Sequence, residues 1–246
     1  KPLEKAQFIS NWIKNYTEMM PSKAKSLVIG ISGGIDSSVS STLSAMTGLK
    51  TIVLSMPIKQ KKTQYDLSLK HQKWLVKNFN NVEAQTINLD KLFETFENTL
   101  SKFDSELGLA NSRARLRMTT LYQVAAANKG IVVGTGNKVE DFGVGFYTKY
   151  GDGGVDISPL GDCKKTEVWD MAKKLNILNE IIEAAPTDGL WDDERTDESQ
   201  LGLKYEELEE AMNNQNSSNR EKYEKIRKMN LHKMLPIPVC KIPKRS

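Results

Sequence analysis

The sequence predicts an α/β fold, a doubly wound and mostly parallel sheet with helices on both faces. Three observations predict it. Four apolar strand-like runs, at 27–31, 51–57, 82–89 and 130–136, alternate with helix-length stretches whose apolar residues recur at helical spacing. The first run passes straight into a glycine pair and a helix start, SLVIGISGGIDSS at 26–38. The fourth ends in a second glycine-rich turn, GTGN at 134–137, and in doubly wound sheets the loops at the carboxyl ends of the strands gather around the ligand.

Each element has its own signal. Ile9, Trp12, Ile13 and Tyr16 share a helical face within 3–20, and Pro21 ends that helix. After strand 27–31 the chain forms a helix over 37–47, stopped by Gly48, then strand 51–57, which completes a βαβ unit. Leu67, Leu69, Trp74, Leu75 and Val76 mark a helix over 63–79, and the polar letters of strand 82–89 mark a sheet edge. Helices over 91–104 and 108–129 deliver the chain to strand 130–136. Periodicity then vanishes over 141–162, FGVGFYTKYGDGGVDISPLGD from Phe142 onward, and an aperiodic stretch of that length in a compact domain reads as functional. Helix returns over 164–184, an acidic mobile segment or lid follows over 186–200, charged helices occupy 203–213 and 219–230, and the Pro-rich basic tail from Leu235 frays at its end. One domain over 1–246 is expected.

Composition narrows the function. With a formal charge of +4 the chain favours small anionic ligands over nucleic acid. No apolar run approaches the ~20 residues of a membrane span and no signal-peptide pattern opens the chain, so a cytoplasmic protein without membrane attachment is expected. Cys163 and Cys240 are isolated and His71 and His232 are the only histidines, which excludes a disulfide framework, a thiolate zinc site and a histidine-rich metal centre, and argues against a Ser-His-Asp hydrolase.

What remains is phosphate chemistry at 30–38. Gly33 and Gly34 let the backbone close on an anion, the helix behind them aims free N–H groups at the same point, and the hydroxyls of Ser32, Ser37 and Ser38 are further candidate donors. Asp36 fits beside phosphate only with a divalent cation between them, which points to magnesium. The loop lacks the Gly-Lys-Ser/Thr ending of a P-loop, and Gly134 and Gly136 are followed by Val139 where a dinucleotide fingerprint needs a third glycine. The bland alternative is a βα turn with Asp36 in the first helical turn.

SGGIDSS resembles the PP-loop of the ATP-pyrophosphatase superfamily. Joined to NSRARLRM at 111–118, GTGNKVE at 134–140, FYTKYGDGGVDISPL at 146–160, KTEV at 165–168, APTDGLW at 185–191 and HKMLPIP at 232–238, it resembles the NAD synthetase family over nearly the whole chain. The resemblance implies an ATP-dependent amidation of deamido-NAD by ammonia through an adenylated nicotinate, with magnesium, in a homodimer. Carried over by position, Gly30, Ile31, Ser32, Gly33, Gly34, Ile35, Asp36 and Ser37 hold ATP phosphates, with Thr135, Lys165 and Thr187 as further ATP contacts. Asp36 and Glu140 resemble the metal ligands, Asp36 and Lys165 the catalytic pair, and Arg115, Lys149, Asp156, His232 and Lys233 the deamido-NAD contacts. No segment resembles the nitrilase-like domain of glutamine-using relatives, so free ammonia is the expected nitrogen donor. Two departures stand out. One extra residue lies between Glu140 and Gly145, which sets Asp141 in competition with Glu140 for the metal, and Met234 stands where some relatives have arginine. Another PP-loop amidotransferase, such as a GMP synthetase, and an ATP-sensing module without chemistry are the rival readings.

Helical geometry adds one expectation. At 100° per residue Arg113 and Arg117 share a face and Arg115 points away from both, in a stripe with Asn111 and Tyr122. The stripe is expected to meet the dinucleotide, with Arg113 and Arg117 outside the ligand site.

Overall fold

Four parallel strands, β1 (Ser26–Gly30), β2 (Lys50–Ser55), β3 (Val82–Thr86) and β4 (Gly130–Val132), form one sheet in the order β3-β2-β1-β4 in the computed structural model, which describes residues 1–187, 189–190 and 195–242. Strand order reverses between β1 and β4, where Val28 pairs with Ile52 on one side and Val132 on the other. A further parallel bridge joins Val133 to Ile157.

Both faces are covered because the strands are apolar on both. Leu27, Ile29 and Val53 enter a core with α1 (Pro2–Met19), α2 (Ile35–Met46), α3 (Lys62–Asn78) and α6 (Lys165–Lys174), through Ile13, Val39, Leu43, Leu75, Val168 and Met171. Val28, Ile52, Leu54 and Val132 face the other way, onto Phe93 of α4 (Asp90–Thr99) and Ala125 of α5 (Glu106–Ala127). Each such fully buried aliphatic side chain contributes ~1.5–3 kcal/mol. The edge position expected of the third strand is borne out, with Glu83 to Thr86 exposed on β3.

A third core lies beyond the sheet. Val139 and Val144 of a seven-residue π-helix (Lys138–Val144) pack with Tyr205 and Leu208 of α9 (Tyr205–Asn213) and Tyr223 of α10 (Arg220–Met234). The aperiodic stretch thus opens with regular structure, invisible to a search for 3.6-residue spacing because a π-helix bonds i to i+5 and absorbs an extra residue. The helix expected over 164–184 is also two: α6 ends near Leu175, Asn176 takes a left-handed φ of 57°, and α7 (Asn179–Glu183) follows. Within the expected lid the structure contains a short α8 (Asp197–Leu201) capped by Thr196, while residues 188 and 191–194 of that segment, and residues 243–246, where fraying is expected from the sequence, lie outside the described residues.

Candidate active site

The β1–α2 loop is closed by its own side chains. Gly33 has φ +89°, and a Cβ there would sit 2.6 Å from Gln64 O, so glycine is required both by conformation and by the approach of α3. Gly34 N–H donates to Ser32 Oγ at 3.1 Å, Ser32 N–H donates to Ser37 Oγ at 3.2 Å, and the two hydroxyls meet at 3.0 Å. Ser38 departs from expectation. It is fully buried and donates to Gly34 O at 2.8 Å, so it closes the first turn of α2 instead of facing a ligand.

Beyond this loop lies a cavity of about 260 Å³. Residues 30–37, Thr135, Lys165 and Thr187, expected at ATP, and Glu140, expected at the metal, all line it although they lie far apart in the chain. Lys165 is 2% exposed and donates to Asp36 Oδ2 at 2.6 Å and to Glu140 Oε1 at 3.1 Å. Asn137 ties the two glycine-rich turns together. Its Oδ1 accepts the N–H groups of Val139 and Glu140, and its Nδ2 donates to Asp36 Oδ2 at 3.4 Å.

Burial and charge oppose each other here. Burial pushes Asp36 up to about 6 despite the Lys165 ammonium beside it. Burial also acts to raise Glu140, but Lys165 and the hydrogen bond from Tyr205 outweigh it and hold that carboxyl below its usual value. For Lys165 burial favours the neutral amine, and the two carboxylates overcome it and keep the ammonium. Asp141 differs from its neighbour: buried, and facing Asp152, Glu140 and Asp36, it is raised well above the ordinary range. Its carboxyl lies against Gly136, where any Cβ would overlap it.

Magnesium fits this donor set. Asp36 Oδ1 is buried and has no hydrogen-bond partner among the described residues. No group of three or more His, Cys, Asp or Glu among those residues is arranged to hold a metal alone. Two carboxylates completed by phosphate oxygens is the usual magnesium arrangement in nucleotide sites.

The residues expected at deamido-NAD form a second group beside the cavity, outside its lining. The stripe on α5 meets the 148–156 loop at three points: Asn111 Oδ1 accepts from Thr148 Oγ1 at 2.7 Å, Arg115 Nε donates to Lys149 O at 3.2 Å, and Tyr122 OH donates to Asp156 Oδ1 at 3.0 Å. Asp156 Oδ2 accepts Val132 N–H at 2.7 Å, so Asp156 anchors the loop to β4. Lys149 Nζ donates to His232 O at 3.2 Å, and Lys233 Nζ donates to Gly145 O and Tyr147 O at 2.9 and 2.8 Å. One expectation is corrected: Arg117 lines the cavity and donates to Met56 O at 3.0 Å, because that face of α5 meets the residue that follows β2. Arg113 is buried, stacked over Phe93 and bonded to Leu190 O, outside the cavity lining.

Tyr205 and Asp197 escaped sequence reasoning. Tyr205 OH donates to Glu140 Oε1 at 2.5 Å and lies 3.2 Å from Asp197 Oδ2, yet it stands in a charged stretch with no motif around it. Burial, reinforced by Glu140 and Asp197, keeps it a phenol.

Fold and site together define a Rossmann-like parallel α/β protein with a glycine-rich strand–helix loop at its switch point. Residues 5–246 match the NAD synthase family model. The chain belongs to the NAD synthase family. It is 36% identical over 212 residues to the NH(3)-dependent NAD(+) synthetase of Carboxydothermus hydrogenoformans, covering 84% of this chain and 83% of that one. With the enzyme of the same name from Finegoldia magna it is 36% identical over 228 residues, 92% and 90% of the two chains. Among solved structures it is similar to the NMN synthetase of Francisella tularensis, with TM-score 0.88, 33% identity and coverage of 100% and 99%. The fold is shared with the NH3-dependent NAD synthetase of Campylobacter jejuni, with TM-score 0.79, 24% identity and coverage of 98% and 100%.

Proposed function

We propose that this protein is a ligase that amidates deamido-NAD to NAD with ammonia, converting ATP to AMP and pyrophosphate. The observation that carries the reading is the convergence of residues 30–37, Thr135, Glu140, Lys165 and Thr187 on one cavity, in a chain of the NAD synthase family. A carboxylate resists attack by ammonia until it becomes a mixed anhydride. The nicotinate oxygen attacks the α-phosphorus, the bond to the β-phosphate bridging oxygen breaks, and pyrophosphate leaves. Ammonia then adds to the acyl carbon, loses a proton, and AMP departs with the oxygen that the carboxylate brought. The β1–α2 loop receives the phosphates, Lys165 offsets charge that builds on the leaving pyrophosphate, and Arg115 and Lys149 face the acceptor. Asp36 and Glu140 would hold magnesium, which supplies charge neutralisation between phosphate oxygens. The chain acts as one domain over 1–246 and as a cytoplasmic homodimer.

One observation favours a second acceptor. The Francisella structure, named an NMN synthetase, matches this chain end to end, and here Lys233 is bonded to two carbonyls while Met234 follows it, leaving fewer cations for a second phosphate. Nicotinate mononucleotide is the acceptor on that reading. Pyrophosphate release measured with MgATP and ammonium chloride, with deamido-NAD, nicotinate mononucleotide or neither, tests both. Release that depends on an acceptor supports the amidation, and the larger kcat/KM assigns it. Release indifferent to acceptor refutes it.

A further inference from the structure

The C-terminal helix α10 places two cations on the end of the π-helix that carries Glu140. Arg227 donates from one guanidinium nitrogen to Phe142 O and Gly143 O, carbonyls of the last turn that a helix leaves without intrahelical partners. Just beyond the helix, Gly145 O and Tyr147 O accept from Lys233 Nζ. Glu140 is held by its own backbone as well: its N–H goes to Asn137 Oδ1, and its carbonyl accepts the N–H groups of Gly145 and Phe146. A π-helix is a strained, wide turn that an ordinary α-helix would replace once the extra residue could slip out of phase. Such a slip turns each side chain by about 100°, enough to exchange Glu140 for Asp141 at Lys165.

We infer that Arg227 is a positioning residue: by capping Phe142 O and Gly143 O it keeps the π-helix in the phase that directs Glu140, and not Asp141, at Lys165 and the metal locus beside Asp36. The inference rests on the reading of Glu140 as a metal ligand, and the test separates the two. A cation at the negative end of a helix, hydrogen-bonded to its last carbonyls, fixes the turn it caps. Lys222 serves as an internal control, because it also reaches from α10 to a backbone carbonyl, Gly202 O, away from the π-helix.

The measurement is binding of manganese by electron paramagnetic resonance in the presence of a non-hydrolysable ATP analogue, for the full chain and for Arg227→Ala, Arg227→Lys, Lys222→Ala and Glu140→Gln, with melting curves alongside. Arg227→Ala is expected to weaken manganese binding about tenfold and to raise the magnesium needed for half activation to match, with turnover restored at high magnesium. Arg227→Lys, which keeps a donor and guards against a variant that does not fold, should fall between it and the wild type. Lys222→Ala should lower the melting temperature without moving manganese affinity. Weak binding in Glu140→Gln with unchanged binding in both Arg227 variants overturns the inference alone. Unchanged binding in Glu140→Gln overturns the reading of Glu140, and the inference with it.

Discussion

Lys165 Nζ stands 2.6 Å from Asp36 Oδ2 and joins the first turn of α2 to the first residue of α6, 129 positions later in the chain. The contact also reaches Glu140 at 3.1 Å, so one buried ammonium balances two carboxylates. Removing one partner of a buried ion pair leaves uncompensated charge and costs about 3–5 kcal/mol. Lys165→Met is therefore expected to destabilise the ligand-free protein by an amount in that range, read from chemical denaturation at neutral pH. A loss under about 1 kcal/mol would show that water reaches the pair and that the charges are not locked together.

Asp36→Asn removes a charge from the same triad and keeps its shape. Turnover should fall by orders of magnitude with melting temperature unchanged or raised, since burial already opposes the charged form of Asp36. Unaltered magnesium dependence in this variant would remove Asp36 from the metal site.

Glu140 and Asp141 are adjacent and not equivalent. Glu140 meets Lys165 and Tyr205, and Asp141 rests against Gly136 with its carboxyl pushed well above the ordinary range. Glu140→Gln should abolish most activity, while Asp141→Asn, which mimics the neutral acid, should retain most of it. Comparison of kcat at saturating magnesium decides; a larger loss at Asp141 would reverse the assignment.

Arg117 lines the cavity and Arg115 does not, so the two are expected to divide the substrates. Arg115→Lys is expected to raise KM for the acceptor and leave KM for ATP nearly unchanged, because a lysine cannot reproduce a bidentate grip. Arg117→Lys, on the cavity side of α5, should do the opposite. The same acceptor effect at both positions would contradict the split.

His71 supplies a pH dependence away from the chemistry. It is fully buried, bonded to Ser41 Oγ at 3.0 Å, and burial lowers it from 6.5 to about 4. The unfolded chain takes up a proton below pH 6.5 and the folded protein does so only near 4. The stabilisation is thus complete above the unfolded value and is lost as pH falls between the two, amounting to roughly 3 kcal/mol when fully developed. Stability by denaturant titration at pH 7 and pH 5 should drop less in His71→Gln than in the wild type. An equal drop would place the acid sensitivity elsewhere.

The sequence disclosed the parts of the site whose chemistry is local. Gly33, Asp36 and Ser37 lie within one strand–loop–helix junction, and each residue type states its own purpose. That Asn111, Arg115 and Tyr122 share a face of α5 was equally legible, because 100° geometry alone separates Arg115 from Arg113, and the structure sets that face against the 148–156 loop. Arg117 defeated that same geometry: which helix face meets the cavity depends on where α5 crosses the sheet, a tertiary fact. Tyr205 reaches Glu140 across 65 positions with no pattern to announce it. The π-helix escaped because its period is not the one sought, although the extra residue before Gly145 was its visible trace. Lys233, expected at a ligand by resemblance, holds backbone carbonyls in the structure.

On the proposed mechanism the acceptor carboxylate is activated by adenylation within this cavity. Deamido-NAD carrying ¹⁸O in its carboxylate, incubated with the protein, MgATP and ammonium, tests it by mass spectrometry of the products. Transfer of one ¹⁸O to AMP and none to pyrophosphate, matched mole for mole by amide formation, is the predicted result, and the same transfer from labelled nicotinate mononucleotide would carry the claim over to that acceptor. Unlabelled AMP, or ADP and orthophosphate as products, would contradict it.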